Sequence, residues 1–531
     1  MMIWDKTKKI LRPIKRRLYK DSSLHPGKNF IRQNKKIWRD SRLKNPSNEV
    51  LFEFTRMQPN IVTYSYFANF LAEYHNAKIV VYCLWEDITI TDQIEKTYSS
   101  FNAQIIKPSL TKEQESELDH LVGFYLNKIK SKKDFYELTI DGILVGDLFY
   151  DHYLRRYDHP TVFVDHEDFP KALRDGIKFY LFWKYYIHDH SVKAINITHC
   201  CYLNGIPLRI AVNQEIPVHQ ANIHGIYTMS QKDLWAYRQT DYYPSLEKLL
   251  TKEERQNGIS KAKENIEERF KGAVGVNMIY STKSAFGSVS KQRVLADTNK
   301  TKILITPHDF MDSPNGIGKG LFMDFYEWMV FLGELSKKTD YEWYVKTHPD
   351  GTEKSKAVVV ELCNLYSKFT HIPSDTSHHQ IIQEGINVTL TVSGTVGWEY
   401  AYFDKLVINA HPDNPHSRYS FNLNPKTVEE YEELLMNLPE IEHSIDKDEI
   451  FEYYMMRSFY SKNDNWLIDN FQKTIRDMGG YRQQFNDEFY SRFLESSSRK
   501  GKEEIFKLLN IFIESNDSCL NWLHMKTAVS S

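Results

Sequence analysis

Cysteine is scarce in this chain. The 531 residues hold five (Cys83, Cys200, Cys201, Cys363, Cys519), and no two form a Cys-x-x-Cys pair. A disulfide framework and a cysteine zinc site are therefore excluded, and adjacent Cys200 and Cys201 read as small buried hydrophobes. Long apolar runs are missing too. The most lipid-like stretch, residues 177–187, has eleven residues and carries Lys178 and Lys184, too short and too charged to span a bilayer. With 22 Gly and 18 Pro, collagenous, low-complexity and wholly disordered readings fail. What is present is an ordinary globular composition, 41% hydrophobic and 26% charged, with aromatics high at 14%. Its length suits two to four domains of roughly 100–200 residues each. Sparse cysteine, with no signal-peptide pattern at the start, predicts a reducing cytoplasm.

A net charge of −2 conceals an asymmetry. Residues 1–44 carry 15 Lys/Arg against Asp5, Asp21 and Asp40, which leaves the remainder at −14. Ile3, Trp4, Ile10, Leu11, Ile14 and Leu18 recur at near-helical spacing among these cations. That pattern suits either a helix lying in an anionic membrane surface, although Pro13 interrupts it, or a solvated arm. Nothing further along supports a nucleic-acid module, so no nucleic-acid partner is expected.

Alternating patterns divide the rest. Residues 49–55 (EVLFEFT) read as a buried strand, 61–74 as a helix and 78–84 as a second strand, the opening of a doubly wound sheet. Further strands are expected at 142–147, 161–165, 192–198, 208–212 and 225–229, with a helix over 168–188. The second half alternates more clearly. Strands are expected at 302–306, 341–346, 369–372, 387–392 and 406–409, and helices at 321–337, 353–367, 377–384, 396–403 and 428–436. The domain plan is a basic arm (1–45), a first Rossmann-like domain (46–250), a linker region (251–300) with a charged helix near 260–270, a second Rossmann-like domain (301–445), and a helical crossover and tail (446–531). Residues 450–466 are the candidate helix returning to the first domain. Ligands of such folds bind beyond the carboxyl ends of the strands.

Chemistry is accordingly sought in loops after strands. At Ser393-Gly394-Thr395 a β-rich run ends and a helix opens, where small residues would let a phosphate approach backbone amides. Glu399, at the end of the first turn, could accept ribose hydroxyls, or is a first-turn acid favoured by the dipole. Lys346 and His348 sit where a strand emerges, and Pro349 holds His348 extended. His308 and Asp309 follow another strand. Gly316-Ile-Gly-Lys-Gly320 lacks P-loop spacing and reads as a turn. In the first half, Asp147 is expected at a strand end and Asp151 one helical turn later, so either can be the base that deprotonates a hydroxyl, or a cap and surface ion partner of Arg155 or Arg156. His199 is a rival base. Metal sites are not supported. Asp446-Lys-Asp448 lies outside any strand–loop context, and His378 and His379 point in different directions. The sequons at Asn196, Asn299, Asn387 and Asn516 have no meaning in a cytoplasmic chain.

TPHDFMDSPNGIGKGLFMDFYEWM (306–329), WYVKTHPD (343–350) and TVSGTVGWEYA (391–401) resemble the bacterial capsule and surface-polysaccharide synthesis family of GT-B glycosyltransferase-like proteins. GDLFYDHYLR (146–155) and THCCYLNGIPLRIA (198–211) look like its first-domain segments. The resemblance runs from about residue 48 to about residue 470. It implies an α/β, GT-B-like fold of two facing Rossmann-like domains with a C-terminal crossover helix, and a glycosyltransferase activity. A nucleotide-sugar donor would be a substrate on the second domain and no cofactor would be needed; a glycan or lipid-linked glycan acceptor would sit on the first. Lys346 and His348, with His308 nearby, would contact the donor; Ser393, Gly394 and Thr395 would cradle its phosphate and Glu399 would hold ribose. Kdo and sialic acid transferases of this broad group make a CMP-linked donor one expectation beside UDP or GDP donors, with no metal required. The rivals are a CDP-polyol phosphotransferase of teichoic acid type, a sugar-nucleotide 2-epimerase and a non-catalytic scaffold of a polysaccharide assembly complex.

Overall fold

A computed structural model describes residues 26–39, 46–84, 88–235, 239–276, 281–461, 467, 471–496, 501–515, 517–521 and 523–524. The expected membrane-surface arm, at residues 1–25 and 40–45, and the end of the expected crossover, 462–466, lie outside these.

The first domain is built on β1 (Asn48–Glu53), β2 (Ala77–Tyr82) and β3 (Ala103–Ile106), a short hairpin of β4 (Thr139–Ile140) and β5 (Ile143–Leu144), then β6 (Ser191–Asn196), β7 (Val218–Asn222) and β8 (Gly225–Met229). The second has β9 (Lys302–Ile305), β10 (Glu342–Lys346), β11 (Phe369–Ile372), β12 (Val388–Thr391) and β13 (Leu406–Asn409), and the tail adds β14 (Cys519–Asn521). The sheet orders are β14-β8-β7-β6-β1-β2-β3 and β11-β10-β9-β12-β13. The second sheet is wholly parallel; in the first, β8 runs antiparallel to both its neighbours, β7 and β14. Each sheet therefore winds outward in both directions from a central pair, β1/β6 and β9/β12, which opens a crevice at that pair's carboxyl ends.

Three expected strands are corrected. Residues 142–147 give only β5, because Asp141 (φ 51°) and Gly142 (φ 79°) form a tight hairpin turn and Gly146 already opens the helix Gly146–Tyr157. This is the backbone that a two-residue Asp-Gly loop favours. Residues 208–212 lie in the helix Gly205–Asn213, whose first eight residues are all buried. A short apolar run does not separate a strand from a fully buried helix. Residues 161–165 are irregular and join two helices. The strands β3, β7 and β14, of four, five and three residues, were not expected.

The two domains form a GT-B-like pair. One apolar cluster runs from Phe149 and Tyr150 of the first domain through Ile450 and Tyr453 to Trp398 and Phe421 of the second. The helix Lys447–Met455, continued by a π-helical turn over Met456–Ser461, packs on the helix Lys252–Phe270. The tail then covers the outer face of the first sheet with Phe471, Phe489, Phe493 and Leu509, so the chain does cross back. The segment expected as a linker is also packed. Arg269 is pinned to Glu399, and the amides of Val294 and Leu295 donate to Glu384 at 2.9 and 2.7 Å. Among the described residues, no helix is long and apolar enough to cross a membrane.

Candidate functional site

Sheet order explains why distant motifs meet. Since β9 and β12 are neighbours, the loops after them emerge side by side: Thr306 N–H donates to the Leu390 carbonyl at 2.9 Å, and Ser393 N–H donates to His308 Nε2 at 3.1 Å. Lys346 ends β10, the strand on the other side of β9. Together these loops wall a cavity of about 500 Å³ lined by His308, Lys346, His348, Ser393, Gly394 and Thr395. Six of the seven residues expected to contact the donor thus share one site.

Lys346 is 2% exposed, and its ammonium donates to the Ser374 carbonyl at 3.0 Å. Among the described residues it has no carboxylate within ion-pair distance. Burial lowers its pKa to about 8, against the weaker pull of Asp375 and Glu399. Holding a charge there costs on the order of 3 kcal/mol, and an anion in the cavity would offset it. His308 is partly buried, stacked on Phe325 at 4.9 Å, and desolvation takes its pKa down to about 4. It stays neutral, and its Nε2 is the acceptor that holds the Ser393 turn. His348 reaches solvent at the rim; its Nδ1 accepts the Asp350 N–H at 3.0 Å. The surrounding walls and the charge of Lys346 keep its pKa below the usual histidine value, with Asp350 opposing.

Two expectations about the Ser393 turn need correction. The helix that follows, Val396–Tyr402, has only seven residues, and two of the turn's amides are used within the protein, Ser393 on His308 and Gly394 on Thr391 Oγ1. The turn supplies shape, while the positive charge comes from side chains. Glu399, expected to hold ribose, does not line the cavity: it is 1% exposed and takes two N–H groups of Arg269, the Nε–H at 2.8 Å. It fastens the helix Lys252–Phe270 to the second domain.

The first-domain acids are placed apart from this cavity. Asp147 pairs with Arg209 at 2.7 Å, both side chains buried, and lines a separate cavity of about 330 Å³ with Tyr136, Trp235 and Lys319. Asp151 is fully buried and accepts from Ser313 Oγ and, at 2.7 Å, from Asn315 Nδ2 of the loop after β9. Burial raises its pKa well above the carboxylate range against those two bonds. Neither acid lines the second-domain cavity, and Asp151 is sealed between the domains. His199 remains exposed at the end of β6, facing Asp312 across the cleft. Its Nδ1 lies 2.9 Å from Thr198 Oγ1, which in turn donates to Glu53.

Sequence reasoning missed Glu53 and Arg457. Glu53 ends β1 at the first sheet's own crevice, where burial lifts its pKa to about 7 against hydrogen bonds from Thr198 and Asn204. An acid closing a strand at the chain reversal of the sheet was the signal available. Arg457 lines the second-domain cavity from the π-helical turn. It had no local signal, because a segment far along the chain brings it there.

No protein-family model matches this chain, and no curated protein does. Among solved structures it is similar to the UDP-GlcNAc 2-epimerase from Neisseria meningitidis bound to UDP-GlcNAc, at 12% identity over 81% of this chain and 98% of that one, with a TM-score of 0.23. The Methanocaldococcus jannaschii UDP-GlcNAc 2-epimerase in complex with UDP-GlcNAc and UDP gives 11%, 76%, 97% and 0.24. The wall teichoic acid polymerase TagF gives 13%, 96%, 98% and 0.20. At such scores these likenesses decide nothing about the site.

Proposed function

We propose that this protein is a GT-B glycosyltransferase of surface or capsule polysaccharide synthesis, using a nucleotide-sugar donor. The observation that carries the reading is the buried Lys346, with no carboxylate in ion-pair distance among the described residues, in a cavity shared with His308, His348 and the Ser393–Thr395 turn. A buried cation beside an open cavity invites an anionic ligand, and a nucleotide phosphate fits the size of the space. The acceptor, a glycan or lipid-linked glycan, approaches from the first domain. His199 takes the proton from the attacking hydroxyl as its oxygen bonds to the anomeric carbon. The bond from that carbon to the donor phosphate breaks, and Lys346 and Arg457 balance the charge on the departing nucleotide. These side chains supply the positive charge, so donor binding is expected to survive EDTA.

The test is a thermal-shift screen against CMP, CDP, UDP, GDP and ADP, with each buffer, with or without EDTA, keeping its own ligand-free baseline. One nucleotide should stabilise the protein, by about 2.7 kcal/mol at 100 times its dissociation constant, and Lys346→Met should abolish the shift. His199→Ala should keep nucleotide binding and lose roughly 10²–10⁴-fold in turnover. Failure of every nucleotide to bind would overturn the reading. A phosphodiester product rather than a glycoside would reassign the enzyme to polyol-phosphate transfer.

A further inference from the structure

Between the helices Gly146–Tyr157 and Phe169–Asp189 the chain crosses from Asp158 to Asp168 without regular structure. Three side chains of this loop converge. His159 Nε2 lies 3.1 Å, and His166 Nδ1 3.4 Å, from the same oxygen, Asp168 Oδ2, and one ligating atom from each residue lies within 4.8 Å of the others. For an ion with donors at 2.0–2.1 Å, adjacent corners of a tetrahedron lie roughly 3.3–3.4 Å apart. The two measured edges, 3.1 and 3.4 Å, come close to that length.

The surroundings fit a ligand set better than a helix cap. Asp168 occupies the N-cap of the helix Phe169–Asp189, where an aspartate ordinarily accepts a backbone N–H, yet its side chain makes no cap bond. It turns toward the two histidines instead. Its other oxygen, Oδ1, is held by Lys171 at 2.8 Å, which leaves Oδ2 as a single-oxygen ligand in a fixed orientation. The Asp168 N–H donates to His166 Nδ1 at 3.2 Å, so that nitrogen is the unprotonated one, and an ion would take its lone pair in place of this N–H. His159 is stacked on Tyr153 at 5.0 Å, which fixes its ring. The His166 side chain is 40% exposed and leaves a path for an ion to arrive. Two imidazoles with one carboxylate suit zinc, cobalt or nickel over calcium or magnesium.

We infer that His159, His166 and Asp168 form a binding site for one divalent transition-metal ion of the zinc class, and that the ion staples the 158–168 loop. The same loop touches the second domain at two points: Asp158 pairs with Lys354, and Thr161 Oγ1 donates to Asp324 at 2.7 Å. The staple therefore stiffens a strut between the domains, away from the donor cavity. It does not depend on the transferase reading, since zinc and nucleotide binding are scored separately.

The experiment titrates the chelator-stripped full-length chain with ZnCl₂ by calorimetry, and with CoCl₂ by visible absorbance. Wild type should show a site of one equivalent and the intense bands of low-coordinate cobalt; His166→Ala should weaken that site at least tenfold and remove the bands. Zinc should also slow hydrogen exchange in the 158–168 loop in wild type and not in the variant. If His159→Ala fails to fold, His166→Ala and Asp168→Asn carry the test, because the His166 side chain is 40% exposed. The chain has 20 histidines, so the comparison with the variant isolates this site. Equal zinc stoichiometry and affinity in wild type and His166→Ala, or no binding by wild type, would overturn the inference.

Discussion

Lys346 shows how one residue sets the working conditions of the site. Its ammonium is charged below about pH 8 and neutral above, whereas an unburied lysine would stay charged to about pH 10.4. An anionic ligand favours the charged form, so affinity should be full below about pH 8 and fall as pH rises through it, by up to about tenfold per unit. Titrating the bound nucleotide from about pH 6.5 to about pH 9.5 checks this. Lys346→Met should bind weakly with no such slope. An unchanged affinity across the range in wild type would mean that Lys346 does not meet the phosphate. Glu399 teaches the converse. The Gly-Thr-x-Gly-x-Glu spelling marks the turn, but the glutamate's role depends on which side chain lies opposite, and that is Arg269, 130 positions earlier in the chain.

At the scale of elements, helix starts decide where acids point. Gly146 begins the helix that carries Asp147 and Asp151, and a Cβ there would lie 2.2 Å from the Phe135 carbonyl oxygen, 2.5 Å from that of Tyr136 and 2.6 Å from the Leu138 nitrogen. Backbone on three sides cannot give way. Gly146→Ala should therefore displace the helix start and cost about 1–3 kcal/mol, read as a lower unfolding midpoint in urea with unchanged slope. An unchanged midpoint would show that the β4–β5 hairpin yields. Strands of the second sheet were legible because buried parallel strands read as near-continuous apolar runs: KILI and LVIN each occupy one strand. The 208–212 run failed by the same rule, since a buried helix of that length looks identical.

At the scale of the whole molecule, the loop after β9 serves both domains. It gives His308 to the cavity, then sends Ser313 and Asn315 to Asp151 and Asp324 to Tyr150 and Thr161. Asp151 has its pKa raised on folding, so the stability contributed by its protonated form is full at acid pH and lost as pH rises through the folded value. Asp151→Asn keeps a neutral group there at all pH values. Its melting temperature relative to wild type should therefore climb as pH rises above the ordinary carboxylate range. A difference that stays flat would show that Asp151 remains ionised between the domains.

The amino-acid sequence by itself determined the alternation of strands and helices, the lack of an apolar run of bilayer-spanning length and the loops that line the second-domain cavity. These follow from local pattern: apolar period, turn residues and cations at strand ends. Only the tertiary structure decided which of those residues meet. Adjacency of β9 with β12 brought His308 to Ser393, the domain interface buried Asp151, and the returning π-helical turn delivered Arg457. Such pairings join residues tens to hundreds of positions apart, and no window along the chain contains both partners.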